Sequence, residues 1–193
     1  MQVRVSQRAR RARIVVHPDR RVEVVVPPRT SRHAVERLVD EHREWVARRL
    51  SELEPVLGLE RPGVVWIGGE PRPAPAGVDL GRWYRRQARR RIGAVAAWEG
   101  GRLDLRPRSL AIRDQRTRWG SCSSRGALSF NWRLVLAPPA VLRYVVVHEL
   151  CHLREPNHSP AFWRLVESAL PRYEEGRAWL RRHGHELLAY RVA

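Results

Sequence analysis

The apolar positions of the chain change period as it is followed from one end to the other. Val3 and Val5 alternate with polar residues and read as the start of a strand. Ile14-Val15-Val16 and Val22 to Val26 are β-branched runs on either side of His17-Pro18-Asp19-Arg20, so they predict a hairpin closed by a turn-rich tetrapeptide. Pro27-Pro28 stops it. From Ser31, a good cap, the period becomes 3.6: Val35, Leu38, Val39, His42, Trp45, Val46 and Leu50 share one helix face, and that helix should end before Pro55. Residues 61–82 are rich in Pro and Gly, with a short strand at Val64 to Ile67 and a Gly68-Gly69 turn.

A second helix is predicted from Trp83 to about Trp98, with Tyr84, Ala88, Ile92 and Val95 on one side and Gly100-Gly101 as its end. Three extended pieces follow, Leu110 to Arg113, Arg118 to Ser123 and Leu128 to Trp132, the last two joined by the loop Ser124-Arg125-Gly126. The remainder is helical. Pro138-Pro139 opens a helix running to about Leu153. Ser159-Pro160 opens another that ends at Pro171, and a last helix spans Arg172 to His183, closed by Gly184. The expected class is α+β: a β-rich N-terminal part with helices (1–82) packed on a helical metal-binding part (83–193), together one domain over 1–193.

At 193 residues with 43% hydrophobic content, the chain can bury a core. No apolar run approaches the roughly 20 residues of a membrane helix, and the basic start MQVRVSQRARRAR lacks the apolar stretch of a secretory signal. Cys122 and Cys151 cannot staple a fold of this size and need no oxidising compartment. A cytoplasmic protein with no membrane partner is expected. The 37 basic residues against 20 acidic give +17, which suits a nucleotide or nucleic-acid partner. All 37 are Arg, however, scattered through a chain heavy in Ala, Val and Pro, and GC-rich coding produces the same bias.

The chemistry concentrates at His148-Glu149-Leu150-Cys151-His152, followed by His158. On a helix, residues i and i+4 share a face about 6 Å apart, so His148 and His152 can grip one ion. Glu149 then projects beside it. Leu153-Arg154-Glu155-Pro156-Asn157 breaks the helix, so the chain can fold back and present His158. Three imidazoles leave a fourth position open, as in a catalytic zinc site; nickel, cobalt or manganese would also fit. These polar groups interrupt an apolar helix after three consecutive valines, and burying them without a ligand would cost several kcal/mol. Glu167, on the helix after the break, is an alternative ligand to His158.

Four stretches together resemble the YgjP-like metallopeptidase domain family, itself similar to the SprT-like and WLM groups. They are Arg116-Thr117-Arg118-Trp119-Gly120-Ser121-Cys122-Ser123, Asn131-Trp132-Arg133-Leu134, Tyr144 through His152, and Asn157-His158-Ser159 with Phe162-Trp163. The resemblance implies a zincin-like metal-binding part, His148, His152 and His158 as metal ligands, and Glu149 as catalytic acid/base. Metzincins share the ligand spacing but carry Gly where this chain has Glu155, so membership of that group does not follow.

The expected function is therefore a zinc-dependent metallohydrolase, a metallopeptidase that cleaves peptide or protein substrates with a metal-activated water and Glu149 as general base. Tyr144, Tyr173, His183 and His185 are candidate oxyanion stabilisers. The hairpin at 118–132 is the candidate strand for pairing with extended substrate. Cys122 could approach the metal, though a packed thiol is the simpler reading; Cys151 falls off the His148/His152 face. Two other readings stay open: a metal-dependent nucleotide triphosphate pyrophosphohydrolase with the Arg excess clamping phosphates, and a nucleic-acid-associated module whose metal site is vestigial.

Overall fold

The β-branched run Val22–Val26 becomes the central strand of a three-stranded sheet, because it alone can bury both faces and pair at both edges. β1 (Gln2–Val5) runs parallel to β3 (Val22–Val26), β2 (Arg13–Val16) runs antiparallel to it, and the order is β1-β3-β2. Val24, Val25 and Val26 are buried. The computed structural model describes residues 1–17, 20–53, 59 and 61–192, in two compact units, Met1–Leu57 and Gly58–Ala193. Pro18 and Asp19 of the expected turn, and Pro55 itself, lie outside the described residues; the helical segment ends at Ser51, before Pro55 as expected.

The helix expected after Ser31 is two. Ser31 caps α1 (Arg32–Glu41), its Oγ accepting the Ala34 N–H at 3.2 Å, and α2 (Arg43–Ser51) follows after a break at His42. The cause is local. The His42 ring donates through Nδ1 to the Leu38 carbonyl at 3.0 Å, the group its own N–H would take in a continuous helix, and that N–H turns to Asp40 instead.

In the second unit, β4 (Val64–Ile67) and β5 (Glu70–Pro73) form a hairpin whose Gly68-Gly69 turn has φ of +68° and +83°. The N–H groups of that turn donate to the Val135 and Leu136 carbonyls of a 3₁₀ turn, Trp132–Leu136, docking the hairpin tip. α3 (Leu80–Leu103) starts earlier and ends later than its pattern predicts: Asp79 caps it, and it continues through Gly100-Gly101 to a left-handed Asp104. Gly100 is a packing position and not a stop. A Cβ there would stand 2.7 Å from the Leu105 carbonyl oxygen, and the Leu105 N–H returns to the Gly100 carbonyl at 2.9 Å.

β6 (Ser109–Arg113) pairs parallel with β8 (Ala127–Asn131), and β7 (Gly120–Cys122) pairs antiparallel with it, in the order β6-β8-β7. Asn131 ends β8 before Trp132. Its Oδ1 accepts the Arg133 N–H, while its Nδ2 donates to the carbonyls of Gln115 and Arg118, pinning the loop that leads into β7. Then come α4 (Pro139–Cys151), α5 (Pro160–Ala169, capped by Ser159) and α6 (Tyr173–Ala189). α6 runs past Gly184 because that glycine lies under Trp119: a Cβ would be 3.2 Å from its ring.

The core gathers Tyr84 and Ile92 of α3, Leu128 and Phe130 of β8, Val146 and Leu150 of α4, and Leu187 of α6. Among the described residues, small sheets and six helices make the fold α+β, as the sequence pattern indicates. Among the described residues no helix is long and apolar enough to cross a membrane.

The charged side chains buried in this core include Glu99. Glu99 of α3 is fully buried and receives two guanidinium groups, Arg102 at 2.6 Å and Arg143 of α4. Arg102 also donates to the Ala169 carbonyl at 2.6 Å, so the carboxylate ties α3, α4 and the end of α5 together. Glu99→Ala should lower the unfolding free energy by about 2–3 kcal/mol, the cost of losing buried charge-assisted bonds while both arginines can turn to water. Urea unfolding at neutral pH measures it; a change under about 0.5 kcal/mol would show that the pairs are incidental.

Candidate metal centre

α4 is buried along most of its length, and its last turn carries the polar residues. Val145, Val146 and Val147 fix the helix in the core, and Val147 and Cys151 belong to an apolar cluster with Phe162, Val166 and Ala169 of α5. Cys151 therefore packs away from the His face. With the helix so anchored, His148, Glu149 and His152 project to one side, and His152 is its C-terminal cap.

After His152 the chain turns within a few residues. The N–H groups of Leu153, Arg154 and Glu155 return to the carbonyls of Leu150 and Cys151, and Ser159 caps α5 with Pro160 in its first turn. His158 sits between these two devices and faces back toward α4. Ligand-capable nitrogens of His148, His152 and His158 lie within 4.8 Å of one another, and Nε2 of His148 is 3.0 Å from Nε2 of His158. Glu167 is exposed on α5, outside this cluster.

The rings are held by stacking. His152 lies on Phe162 with centroids 4.4 Å apart and an interplanar angle of 23°. His158 stacks on Trp163 at 5.7 Å, and Trp163 stacks in turn on Tyr173 at 5.6 Å. The Arg177 guanidinium covers Trp163 at 4.7 Å. The tautomer of His152 is fixed by chemistry: its Nδ1 is 3.0 Å from the Glu155 carbonyl, which can only accept, so Nδ1 carries the proton and Nε2 presents a lone pair.

The electrostatics disfavour protonation of His148 and His158. Burial, with the neighbouring His152, His158 and Arg177, pushes His148 down to about 3, and the same kinds of neighbour lower His158. Two ring nitrogens at 3.0 Å, a third oriented by a backbone carbonyl and a suppressed tendency to protonate form a donor set that suits a divalent transition metal. The buried Nδ1 of His148 has no hydrogen-bond partner.

Glu149 is nearly buried, and burial pushes its carboxyl up to about 7. Its place depends on Gly120 of β7: a Cβ there would stand 2.5 Å from Glu149 Cγ and Oε1. An open cavity of about 430 Å³ lies over these groups, walled by residues 117–122 on one side and by Tyr144, His148, Glu149, His152 and His158 on the other. Of the four oxyanion candidates, Tyr144 lines this cavity and Tyr173, His183 and His185 do not. Burial raises the Tyr144 phenol, keeping it a donor. Cys122 is on the wall, its thiol raised by burial and by Glu149, but it is not part of the nitrogen cluster. Sequence reasoning missed the contact of Gly120 with Glu149, the Glu155 carbonyl behind His152 and the Arg177 cover. The first had a visible signal in a glycine inside a predicted strand.

The raised carboxyl has a consequence for stability. The unfolded chain releases the Glu149 proton near the ordinary carboxyl value of 4.5 and the folded, metal-free chain near 7, so the folded state holds more protons in between. Stability should fall as pH rises through that window, by up to about 3 kcal/mol. His148 acts on the other side: it charges only on unfolding, so stability also falls below about 6.5. In EDTA, Glu149→Gln should be more resistant to urea than wild type at pH 8, with the margin shrinking toward pH 5. Equal midpoints at pH 8 would refute the burial argument.

A 48-residue stretch is 44% identical to the UTP pyrophosphatase of Escherichia coli (strain K12), covering 23% of this chain but only 29% of that protein. The crystal structure of the metallopeptidase zymogen of Pyrococcus abyssi abylysin superposes with a TM-score of 0.43 at 22% identity, over 46% of this chain and 90% of that one. The profile of the YgjP-like metallopeptidase domain matches residues 10–73 and 68–183, which is most of the chain. The protein belongs to the YgjP-like metallopeptidase domain family.

Proposed function

We propose that the protein is a zinc peptidase in which His148, His152 and His158 hold the ion and Glu149 is the general base. The observation that carries this reading is the convergence of three imidazole nitrogens within 4.8 Å, beside a buried carboxyl, at the floor of one open cavity. When bound, zinc supplies the positive charge that acidifies water and polarises a carbonyl. The rest is the work of the chain. His152 is oriented by the Glu155 carbonyl and the Phe162 ring. Glu149, with its affinity for protons raised by burial, takes the proton of the attacking water on a carboxylate oxygen and passes it to the leaving amine nitrogen. Tyr144, kept protonated, is the donor placed to meet the oxyanion.

Peptide substrates have a natural seat. Among the described residues, β7 pairs with β8 on one side only, and all three of its residues wall the cavity. An extended peptide can add at the free edge of β7 and so lay a carbonyl beside Glu149.

Nucleotide triphosphates form the second reading, favoured by Arg118 on the cavity wall, by Arg177 beside the His cluster, and by the local match to a UTP pyrophosphatase. Release of pyrophosphate from nucleotides, set against cleavage of unfolded protein, separates the two. The purified protein should carry about one zinc per chain and His158→Ala should lose most of it; retention would remove His158 from the ligand set. Glu149→Gln should keep its metal and lose at least about 100-fold in turnover. Gly120→Ala should also keep its metal, and its turnover should fall by about tenfold or more, because the carboxyl must move to accommodate the methyl group. Unchanged turnover in Gly120→Ala would deny Glu149 its role as base.

A further inference from the structure

Between Leu80 and Trp98, α3 contains six arginines, Arg82, Arg85, Arg86, Arg89, Arg90 and Arg91, and no acidic residue. The first five are exposed and recur at intervals of three and four, so they form one stripe along the helix. Eight residues of helix extend about 12 Å. Like charges so spaced repel one another, and the surroundings do little to offset this. Asp79 approaches Arg82 and Asp114 approaches Arg85, both at 3.5 Å. Among the described residues no carboxylate pairs with Arg86, Arg89 or Arg90; Arg90 instead reaches Gln87 at 3.0 Å.

Two further observations concern the neighbouring Arg91. Its Nε is buried and lacks a hydrogen-bond partner. Its guanidinium is held below the ordinary arginine range by burial and then by Arg90 and by Arg72 of β5. Arg72, itself paired with Glu70 at 3.1 Å, is thus close enough to act on α3. Every exposed position from Arg82 to Arg90 is an arginine, with no apolar side chain to insert into a bilayer or to anchor a protein partner. Rows of guanidinium groups without apolar company match a repeating phosphate chain.

We propose that the exposed face of α3, through Arg86, Arg89 and Arg90 with Arg82 and Arg85, binds the phosphate backbone of nucleic acid without reading its sequence. The test is fluorescence anisotropy of a labelled 20-base-pair DNA duplex with the full chain across 50–200 mM salt. Wild-type affinity should fall steeply with salt. Arg86→Gln/Arg89→Gln/Arg90→Gln should bind about tenfold or more weakly at 100 mM salt, with the slope of log affinity against log salt reduced by about 2–3.

The corresponding Lys triple should stay within about threefold of wild type, since charge and length are kept. A control triple in the N-terminal unit, Arg8→Gln/Arg10→Gln/Arg11→Gln, should lose less than about threefold. The thermal midpoint of the α3 Gln triple should not fall, because repelling neighbours have been removed. An α3 Gln triple that binds like wild type overturns the proposal, as does a Lys triple that fails like the Gln triple. An equal loss in the N-terminal triple would assign binding to overall charge and overturn it too. So would phosphatidylserine vesicles that bind as tightly as the duplex with the same dependence on the triple.

Discussion

The site depends on keeping a carboxyl group inside an apolar helix packing. α4 is buried on nearly every face, and Glu149 occupies a position that packing alone would give to leucine. Its carboxyl finds room only because β7 presents Gly120 there, 2.5 Å from where a methyl group would collide. That room is made by the sheet. β8 holds β7 in register through Gly120–Phe130, and Asn131 at the end of β8 pins the approach to β7 through the Gln115 and Arg118 carbonyls. A shift of the strand by one residue would place Ser121 or Trp119 against the carboxyl, so the register of a three-residue strand decides whether the carboxyl has room.

The histidines are constrained by a different means. Rings with this little hydrogen bonding would rotate freely if left in water, but here each meets an aromatic or apolar wall. Phe162 serves His152 and also touches His148 and His158, with centroids 4.4–4.9 Å away. A side chain without polar atoms is the right partner, because it restricts rotation and leaves the nitrogens free. The same Phe162 is fully buried in the cluster with Val147 and Val166, so the platform under the rings is continuous with the core. Orientation at the site is thereby tied to packing of α4 on α5.

The separation between what the sequence revealed and what it concealed follows the range of the interactions. The three histidines were legible because an i, i+4 pair and a helix break are local, and the chain does bring their nitrogens together. Ser31 and Ser159 likewise act within three residues. Glycines misled wherever a distant atom decided their role: Gly100 admits the Leu105 carbonyl, and Gly184 lies under Trp119, so both helices continue where a break was expected. The parallel pairing of β6 with β8, across an intervening β7, and the role of Gly120 are set by partners that no local pattern names. At His42 the signal was local but ambiguous, since the 3.6 period persists while the side chain captures the Leu38 carbonyl that the helix needs.

Arginine enters the fold in two ways that composition cannot tell apart. Arg133 is almost fully buried, donating to the Tyr190 carbonyl at 2.9 Å and to Asp114, and it stacks on Trp132. Arg102 and Arg143 close around Glu99. In these places the planar guanidinium does what an ammonium could not, satisfying several acceptors in fixed directions. Such arginines are recognisable by their partners. Arg86, Arg89 and Arg90 on α3 are recognisable by having no carboxylate partner among the described residues: with 37 cations and 20 carboxylates in the chain, at least seventeen cannot be neutralised by an acid of their own. A coding bias would scatter that surplus. On α3 part of it is instead aligned at the helical period on a single exposed face, where like charges oppose the helix, and it is on this alignment, not on the total charge, that the proposed phosphate contact rests.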